Sequence, residues 1–560
     1  VPRTRIDQKS AAPWWADAVI YQVYIRSFAD GNGDGIGDIA GLRARLPYLQ
    51  ELGVDALWIN PWYPSPMADG GYDVADYRAI EPAFGTLAEA EELIAEAHTF
   101  GMRVVLDIVP NHTSDQHPWF REALTAAPGS PERERYVFRD GRGTDGDQPP
   151  NDWRSRFGGP AWTRITEPDG SPGQWYLHLF ASQQPDLNWA NREVRDEFES
   201  ILRFWFDRGV DGFRIDVAHG LVKDPALPDL GIPADALFEH ERHREHHPHW
   251  DQDGVHEIYQ EWRKIADSYA GDRVFVAEAH VRDDRLANYL RPDELHTAFN
   301  FPYLKCSWEP KAMREVIDRG VTALAEVGAP PTWVLSNHDV PRHVTRYGRS
   351  DTSTHEHDTA GGGTDLELGT RRARAAALLT LALPGGAYVY QGEELGLWEV
   401  EDLPEEVLAD PTWERSGHTV RGRDGCRVPL PWSGLDGPFG FGPKGTKPWL
   451  PQPAEWKSLT AQAQSGIPWS MLELYRSALR LRREQPGFGS GTLRWLTTPE
   501  GVLAFERSPV LRCAVNFSGE PYPLPKNWGV LLASERLTNG HLPPDTTVWL
   551  WGGGALAGRA

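Results

Sequence analysis

Three apolar runs, each closed by a carboxylate, constrain the fold of this chain most tightly: Gly212-Phe-Arg-Ile-Asp216, Val274-Phe-Val-Ala-Glu278 and Trp333-Val-Leu-Ser-Asn-His-Asp339. Each reads as a short buried strand. Successive acids stand 62 and 61 residues apart, so no single helix or hairpin gathers them. A closed ring of parallel strands does, because it places every C-terminal strand end around one mouth. The spacing therefore predicts an α/β fold, a (β/α)8 TIM barrel with a carboxylate cluster at its mouth.

The rest of the chain keeps that rhythm. Val19–Ile25, Ala56–Asn60 and Arg103–Val109 read as strands, with helices over Ile39–Leu52, which ends at Gly53, and over Leu87–His98. Residues 113–188 are rich in Pro, Gly, Trp and Arg and lack a helical period, which predicts an irregular subdomain inserted after the third strand. The pattern resumes with a helix over Arg192–Arg208, the Phe213 strand, a long polar stretch at 222–255 and a helix near Val255–Tyr269. Strands near Val274, Thr297, Trp333 and Ala387 complete eight. A second Pro- and Trp-rich excursion spans Leu395 to Gly466, and Ser470–Glu484 reads as the closing helix. From Gly487 onward, alternating runs such as Val502–Glu506 and Leu511–Asn516 predict a C-terminal all-β sandwich. The expected domains are residues 1–112 and 189–486 for the barrel, 113–188 for the insertion and 487–560 for the β domain.

Lys and Arg number 57 against 80 Asp and Glu, a formal charge of -23 that repels a phosphate backbone or an anionic membrane surface. Nucleic acid and membrane are excluded as expected partners, and no apolar run reaches the roughly 20 residues of a bilayer span. Cys306, Cys426 and Cys513 have no metal-ligand spacing and read as reduced thiols. Val1 to Ala12 lacks the apolar core of a signal peptide, so a cytoplasmic address is expected.

Arg214 and Asp216 fall on one face of their strand, where the guanidinium orients the carboxylate and keeps it ionised. Glu278 sits among Val276, Ala277 and Ala279, an apolar setting expected to raise its pKa and keep it protonated. An ionised carboxylate beside a protonated one, about 5–5.5 Å apart, is the equipment of retaining glycoside hydrolysis. Asp30-Gly-Asn32-Gly-Asp34-Gly-Ile36-Gly-Asp38 spaces oxygen donors at alternate positions, with glycines for tight winding. It predicts a structural Ca2+ or Mg2+ held by Asp30, Asn32, Asp34, Asp38 and the Ile36 carbonyl; no organic cofactor is expected. His240, His243, His246, His247 and His249 are irregularly spaced among charged residues and read as a solvated loop rather than a zinc site.

Six blocks in order make the chain resemble the α-amylase superfamily, in its α-glucosidase and oligo-1,6-glucosidase branch: Asp107-Ile-Val-Pro-Asn-His112, Gln184-Pro-Asp-Leu-Asn188, Gly212–Asp216, Val276-Ala-Glu278, Ser336-Asn-His-Asp339 and Tyr390-Gln-Gly-Glu-Glu-Leu-Gly396. The resemblance implies Asp216 as nucleophile, Glu278 as general acid/base and Asp339 as the third acid, gripping sugar hydroxyls. It implies His112, Arg214 and His338 in the same glucose subsite, Phe157 and Phe180 as apolar walls, and Asp69 and Tyr72 as pocket floor. Arg423 matches an arginine that pairs with Asp69 and closes the cleft, which implies exo-action. The implied activity is a retaining exo-α-glucosidase acting on maltose and short α-glucooligosaccharides, as a monomer or homodimer. The alternatives are a sucrose- or maltose-converting transglucosylase or isomerase, and an oligo-1,6-glucosidase. Val217, after the implied nucleophile, resembles the α-1,6 enzymes, whereas Ala218-His219-Gly220 and Ala279-His280 depart from them, and α-1,4 substrates are favoured.

Overall fold

Eight short parallel strands form the central sheet of the computed structural model, which describes residues 12–239, 247–354, 363–485, 487–489 and 491–552. They are β1 (Val19–Val23), β2 (Ala56–Ile59), β3 (Arg103–Ile108), β4 (Gly212–Ile215), β5 (Val274–Ala277), β6 (Thr297–Ala298), β7 (Thr332–Val334) and β8 (Gly386–Tyr390). Their order in the sheet is β7-β8-β1-β2-β3-β4-β5-β6, a nearly closed barrel. Among the described residues no ladder joins β6 to β7, but the Thr332 hydroxyl donates to the Ala298 carbonyl across that seam. Most strands end before their apolar runs do, because the last residues turn out of the sheet into the loops at the barrel mouth.

Alternation along each strand divides the core in two. Outward residues such as Tyr21, Leu57, Leu106, Phe213 and Phe275 pack against the surrounding helices, including α1 (Ile39–Leu52), α2 (Leu87–Thr99), α3 (Arg192–Phe206) and α4 (Val255–Asp267). Inward residues Ile20, Ala56, Trp58, Val105, Val274, Val276, Val334 and Tyr388 fill the barrel. Continuing the same alternation upward turns each inner column polar: Ile20 leads to Gln22, Val105 to Asp107, Gly212 to Arg214 and Asp216, and Val276 to Glu278. The lower barrel is therefore an apolar plug, and the upper layer is a cluster of charges. Gly212 has no room for a side chain, since a Cβ there would stand 2.3 Å from the Val274 carbonyl oxygen.

Helix ends are set locally. Asp38 caps α1 by accepting from the Gly41 amide, and Gly53 ends it at φ 98. Thr86 and Glu89 form a capping box on α2. After β3 the chain leaves the barrel and forms a small antiparallel sheet of Phe138–Arg139, Pro172–Leu177 and Trp162–Thr166. Toward the C-terminus a five-stranded antiparallel sheet, Arg494–Trp495 through Thr546–Trp551, packs against the pair Tyr522–Pro523 and His541–Leu542 through Leu542, Val548 and Ala504. It docks on α5 (Leu366–Ala382), where Trp549 Nε1 donates to the Leu378 carbonyl at 2.9 Å. All three cysteines are free and buried. No described helix is long and apolar enough to cross a membrane.

Beyond β8, Glu393 and Glu394 turn outward, between the barrel and the helices that carry Tyr48 and Tyr475. Glu394 Oε1 accepts from the Tyr21 and Tyr48 hydroxyls at 2.8 Å each, and Glu393 accepts from the Tyr390 amide and the Tyr475 hydroxyl, both at 3.2 Å. Burial pushes the Glu393 carboxyl up to about 8 from its ordinary 4.5. A raised carboxyl contributes stability below its unfolded pKa that is lost as pH rises through the folded value. Glu393→Gln, which needs no proton to stay neutral, is expected to melt progressively above wild type as pH rises from 5 to 9, with little difference at pH 5, in melting curves taken across that range.

Candidate active site

Arg214 stands at the centre of the charged layer, its side chain 3% exposed. Nη1 donates to Asp107 Oδ1 at 2.9 Å and to Asp216 Oδ1 at 2.5 Å, while Nη2 donates to Glu278 Oε2 at 2.6 Å. The ladders β3–β4 and β4–β5, which pair Asp107 with Arg214 and Arg214 with Val276, bring these side chains together from three strands. Asp107 Oδ2 also accepts from the Tyr72 hydroxyl at 2.8 Å and Trp58 Nε1 at 3.1 Å.

Glu278 is not in the apolar setting that its sequence neighbours suggest. Ala277 points outward, and the Glu278 carboxylate meets Arg214, the Val217 amide at 3.0 Å and His280 Nε2 at 3.3 Å. Burial favours its neutral form, but Arg214 and His280 outweigh burial and hold it well below the usual carboxylate range. Asp216 is pushed the other way, first by burial and then by the charges of Glu278 and Asp107. Three carboxylates thus share one guanidinium, and burial together with their mutual repulsion works against all three being ionised at once. Val217 holds a φ of 46, a left-handed conformation that a β-branched residue rarely adopts, and this aims its amide at Glu278.

A second arginine closes the floor. Arg423 Nη2 donates to Asp69 Oδ1 at 2.6 Å, Nη1 to Asp339 Oδ1 at 3.0 Å, and Nε to Asp410. Arg427 adds a bond to Asp339 Oδ1 at 3.1 Å and another to the His338 carbonyl. Burial favours a neutral Asp339, yet its charged neighbours hold it below the ordinary range; with His338 itself neutral, the two guanidiniums carry that effect. His112 and His338 are neutral because burial lowers them to about 4 and about 3. His338 lies between the Tyr72 ring, stacked at 5.2 Å, and Gln22 Nε2, 2.7 Å from its Nδ1. Gln184 Nε2 bridges Asp69 and His112 at 3.0 Å each. Phe157 and Phe180 meet edge to face at 5.7 Å, and Arg423 lies over the Phe157 ring.

All the sequence-derived side chains Asp69, Tyr72, His112, Phe157, Phe180, Asp216, Glu278, His338, Asp339 and Arg423 line one pocket, with Arg214 bonded beneath it. Sequence reasoning passed over Asp107, Gln184, His280, Asp410 and Arg427. Asp107 and Gln184 lay inside quoted motifs and were legible; Asp410 sits in the second excursion, where no local pattern marks it.

The Asp30–Asp38 loop lies apart from this pocket. Asp30 accepts from the Asn32, Gly33 and Gly35 amides, and Asp38 from those of Gly31, Asn32 and Gly41, so both carboxylates turn into the loop. With the Asn32 and Asp34 oxygens and the Ile36 carbonyl this all-oxygen donor set fits a hard cation. The expected solvated loop does not hold at the two described histidines of the His-rich stretch. His240, His243 and His246 lie outside the described residues, while His247 and His249 are buried, packed on Trp250.

Comparison with known proteins agrees with this geometry. Residues 22–491 match the alpha amylase catalytic domain, and residues 490–549 match a domain of unknown function, DUF3459. The chain is 37% identical to a probable alpha-glucosidase of Rhizobium meliloti, with 90% of each chain covered. It is 34% identical to an oligo-1,6-glucosidase of Heyndrickxia coagulans, covering 93% of this chain and 96% of that one. Among solved structures it is similar to the alpha-glucosyl transfer enzyme XgtA, at TM-score 0.82 and 35% identity over 97% of this chain and all of that one. It is also similar to a trehalulose synthase, MutB, at TM-score 0.82 and 32% identity over 96% and 100% of the two chains.

Arg423→Met leaves Asp69 and Asp410 buried with one fewer cation, which is expected to cost about 3–5 kcal/mol of stability. Urea denaturation measures it, and adding Asp69→Asn in the same chain is expected to recover part of the loss.

Proposed function

Because the chain belongs to the α-amylase family and is a glycoside hydrolase, we propose that it is a retaining, exo-acting α-glucosidase releasing α-glucose from maltose and short α-glucooligosaccharides. The observation that carries this reading is the pair Asp216 and Glu278, held by the two terminal nitrogens of one guanidinium above a pocket floor closed by the Asp69–Arg423 ion pair. Asp216 attacks the anomeric carbon from one side while Glu278 gives its proton to the bridging oxygen, so the glycosidic bond breaks and a glucosyl ester forms on Asp216. Water, deprotonated by Glu278, then displaces Asp216. Two inversions leave the α configuration.

The reaction needs Glu278 protonated and Asp216 bare, the reverse of the directions in which the sugar-free site pushes them. A glucosyl ring over Asp216 supplies the reversal, because the developing positive charge at the anomeric carbon favours a bare Asp216, while the departing oxygen draws the proton to Glu278. Asp339, ionised by its two arginines, and the neutral His112 and His338 are suited to sugar hydroxyls. Asp69 and Arg423 form the floor behind the terminal glucose, which supports removal of one residue at a time. Val217 lines the pocket beside Glu278 and is the residue through which linkage preference acts, in a range of about 1–3 kcal/mol per methyl-sized change.

A second reading is transfer of glucose to another sugar. It is favoured by the likeness to a glucosyl transfer enzyme and a trehalulose synthase, and by apolar side chains of Trp250, Phe301 and Leu304 along the pocket. Such walls disfavour water at the ester.

Incubation with maltose and with isomaltose, followed by anomer-resolved NMR, separates these readings. Free α-glucose, faster from maltose, is expected; β-glucose overturns retention, and new disaccharide with little glucose supports transfer. Asp216→Asn is expected to lower kcat/KM at least about 10^4-fold. Glu278→Gln is expected to spare ester formation, read as kcat/KM, on substrates whose leaving group needs no proton, while hydrolysis of the ester slows. Asp30, Asn32, Asp34, Ile36 and Asp38 are proposed to hold a structural Ca2+ or Mg2+. Ca2+ added to the chelator-stripped chain is expected to raise its melting temperature by a few degrees, with Asp30→Ala giving no response to Ca2+.

A further inference from the structure

Outside the pocket, one buried cluster has ligand atoms and no satisfied hydrogen-bond plan. Glu239, His247 and His249 each offer one ligand atom, and these lie within 4.8 Å of one another. Their side chains are 6%, 2% and 0% exposed. His247 Nε2 is 2.6 Å from Glu239 Oε1, and His249 Nε2 is 3.7 Å from Glu239 Oε2. His249 is alone among the described histidines in having both ring nitrogens buried without a hydrogen-bond partner. Buried polar groups are almost always paired, and an orphan costs about 1–3 kcal/mol. Nor does the ring turn away to solvent, since Trp153, His247 and Trp250 surround it at 4.3, 4.4 and 4.7 Å between centroids.

We propose that Glu239, His247 and His249 bind a divalent transition ion of the zinc class. One carboxylate oxygen and two imidazole nitrogens form the ligand set of a borderline cation with a fourth position left for water, whereas calcium and magnesium take oxygen. Coordination through Nε2 of His247 moves its ring proton to Nδ1, which gives up only a 3.4 Å contact from the His249 amide. Both histidines then bind as neutral ligands, and the net proton count is unchanged. The nearby cations Lys223 and Arg156 are offset by Asp186, 2.8 Å from Lys223, and by Glu239 itself.

The position gives the ion a task. Trp250 follows His249 directly, lines the sugar pocket and stacks on His219 at 4.9 Å. An ion at this point fastens Glu239 to the His247–Trp250 segment and so seats one wall of the pocket.

The test uses the full chain, stripped by a chelator and dialysed, then titrated with ZnCl2 in a calorimeter and with CoCl2 under a visible spectrometer. One tight equivalent of zinc and the visible bands of four-coordinate Co2+ are expected. His249→Ala and, independently, Glu239→Gln are expected to lose both signals while keeping the wild-type circular dichroism of the metal-free protein. Asp30→Ala is expected to keep them, which separates this site from the oxygen loop. A wild-type chain that takes up no zinc, or variants that retain the wild-type equivalent, overturns the proposal.

Discussion

A guanidinium sunk in the barrel mouth is the interaction on which the site depends. Without Arg214, Asp107, Asp216 and Glu278 would be buried carboxylates with no cation at bonding distance, a state that proteins avoid by protonation or by unfolding. With it, they stand side by side, and the guanidinium offsets part of their mutual repulsion. The cation also fixes geometry, because each carboxylate is tied to a nitrogen of one rigid plane.

The two arginines divide the work. Arg214 rises from β4 and belongs to the barrel, so its place is set by the strand ladders. Arg423 comes from the second excursion and holds Asp69, Asp339 and Asp410 together. The barrel supplies the carboxylates clustered on Arg214, and the excursions supply the enclosure. Because Arg423 joins a strand-end acid to two loop acids, the floor resists deformation from several directions at once.

Much of this was legible in the chain. Period-two alternation placed Arg214 and Asp216 on one face, and the spacing of strand-end acids predicted the barrel. The environment of Glu278 was not legible, because the residues beside it in sequence face elsewhere, and its real neighbours, Arg214, His280 and the Val217 amide, come from the next strand end and the loops. Local composition reports what a residue follows; across a barrel mouth, charge is set by what it faces. The same reason hid the burial of His247 and His249, whose charged sequence neighbours suggested water, while Trp153, from another excursion, covers His249 and Trp250 packs on both.

If the exo-action proposed above holds, the Asp69–Arg423 ion pair also bears on the sequence of departures. A sugar unit lodged against that ion pair has the same doorway for arrival and exit, and the remainder of the chain stands in it. In the proposed mechanism the remainder leaves first and the terminal unit last, so an acceptor sugar and water compete at the same doorway for the glucosyl ester. At high sugar concentration the balance between hydrolysis and transfer is thus a matter of queueing, governed by which acceptor occupies the vacated space.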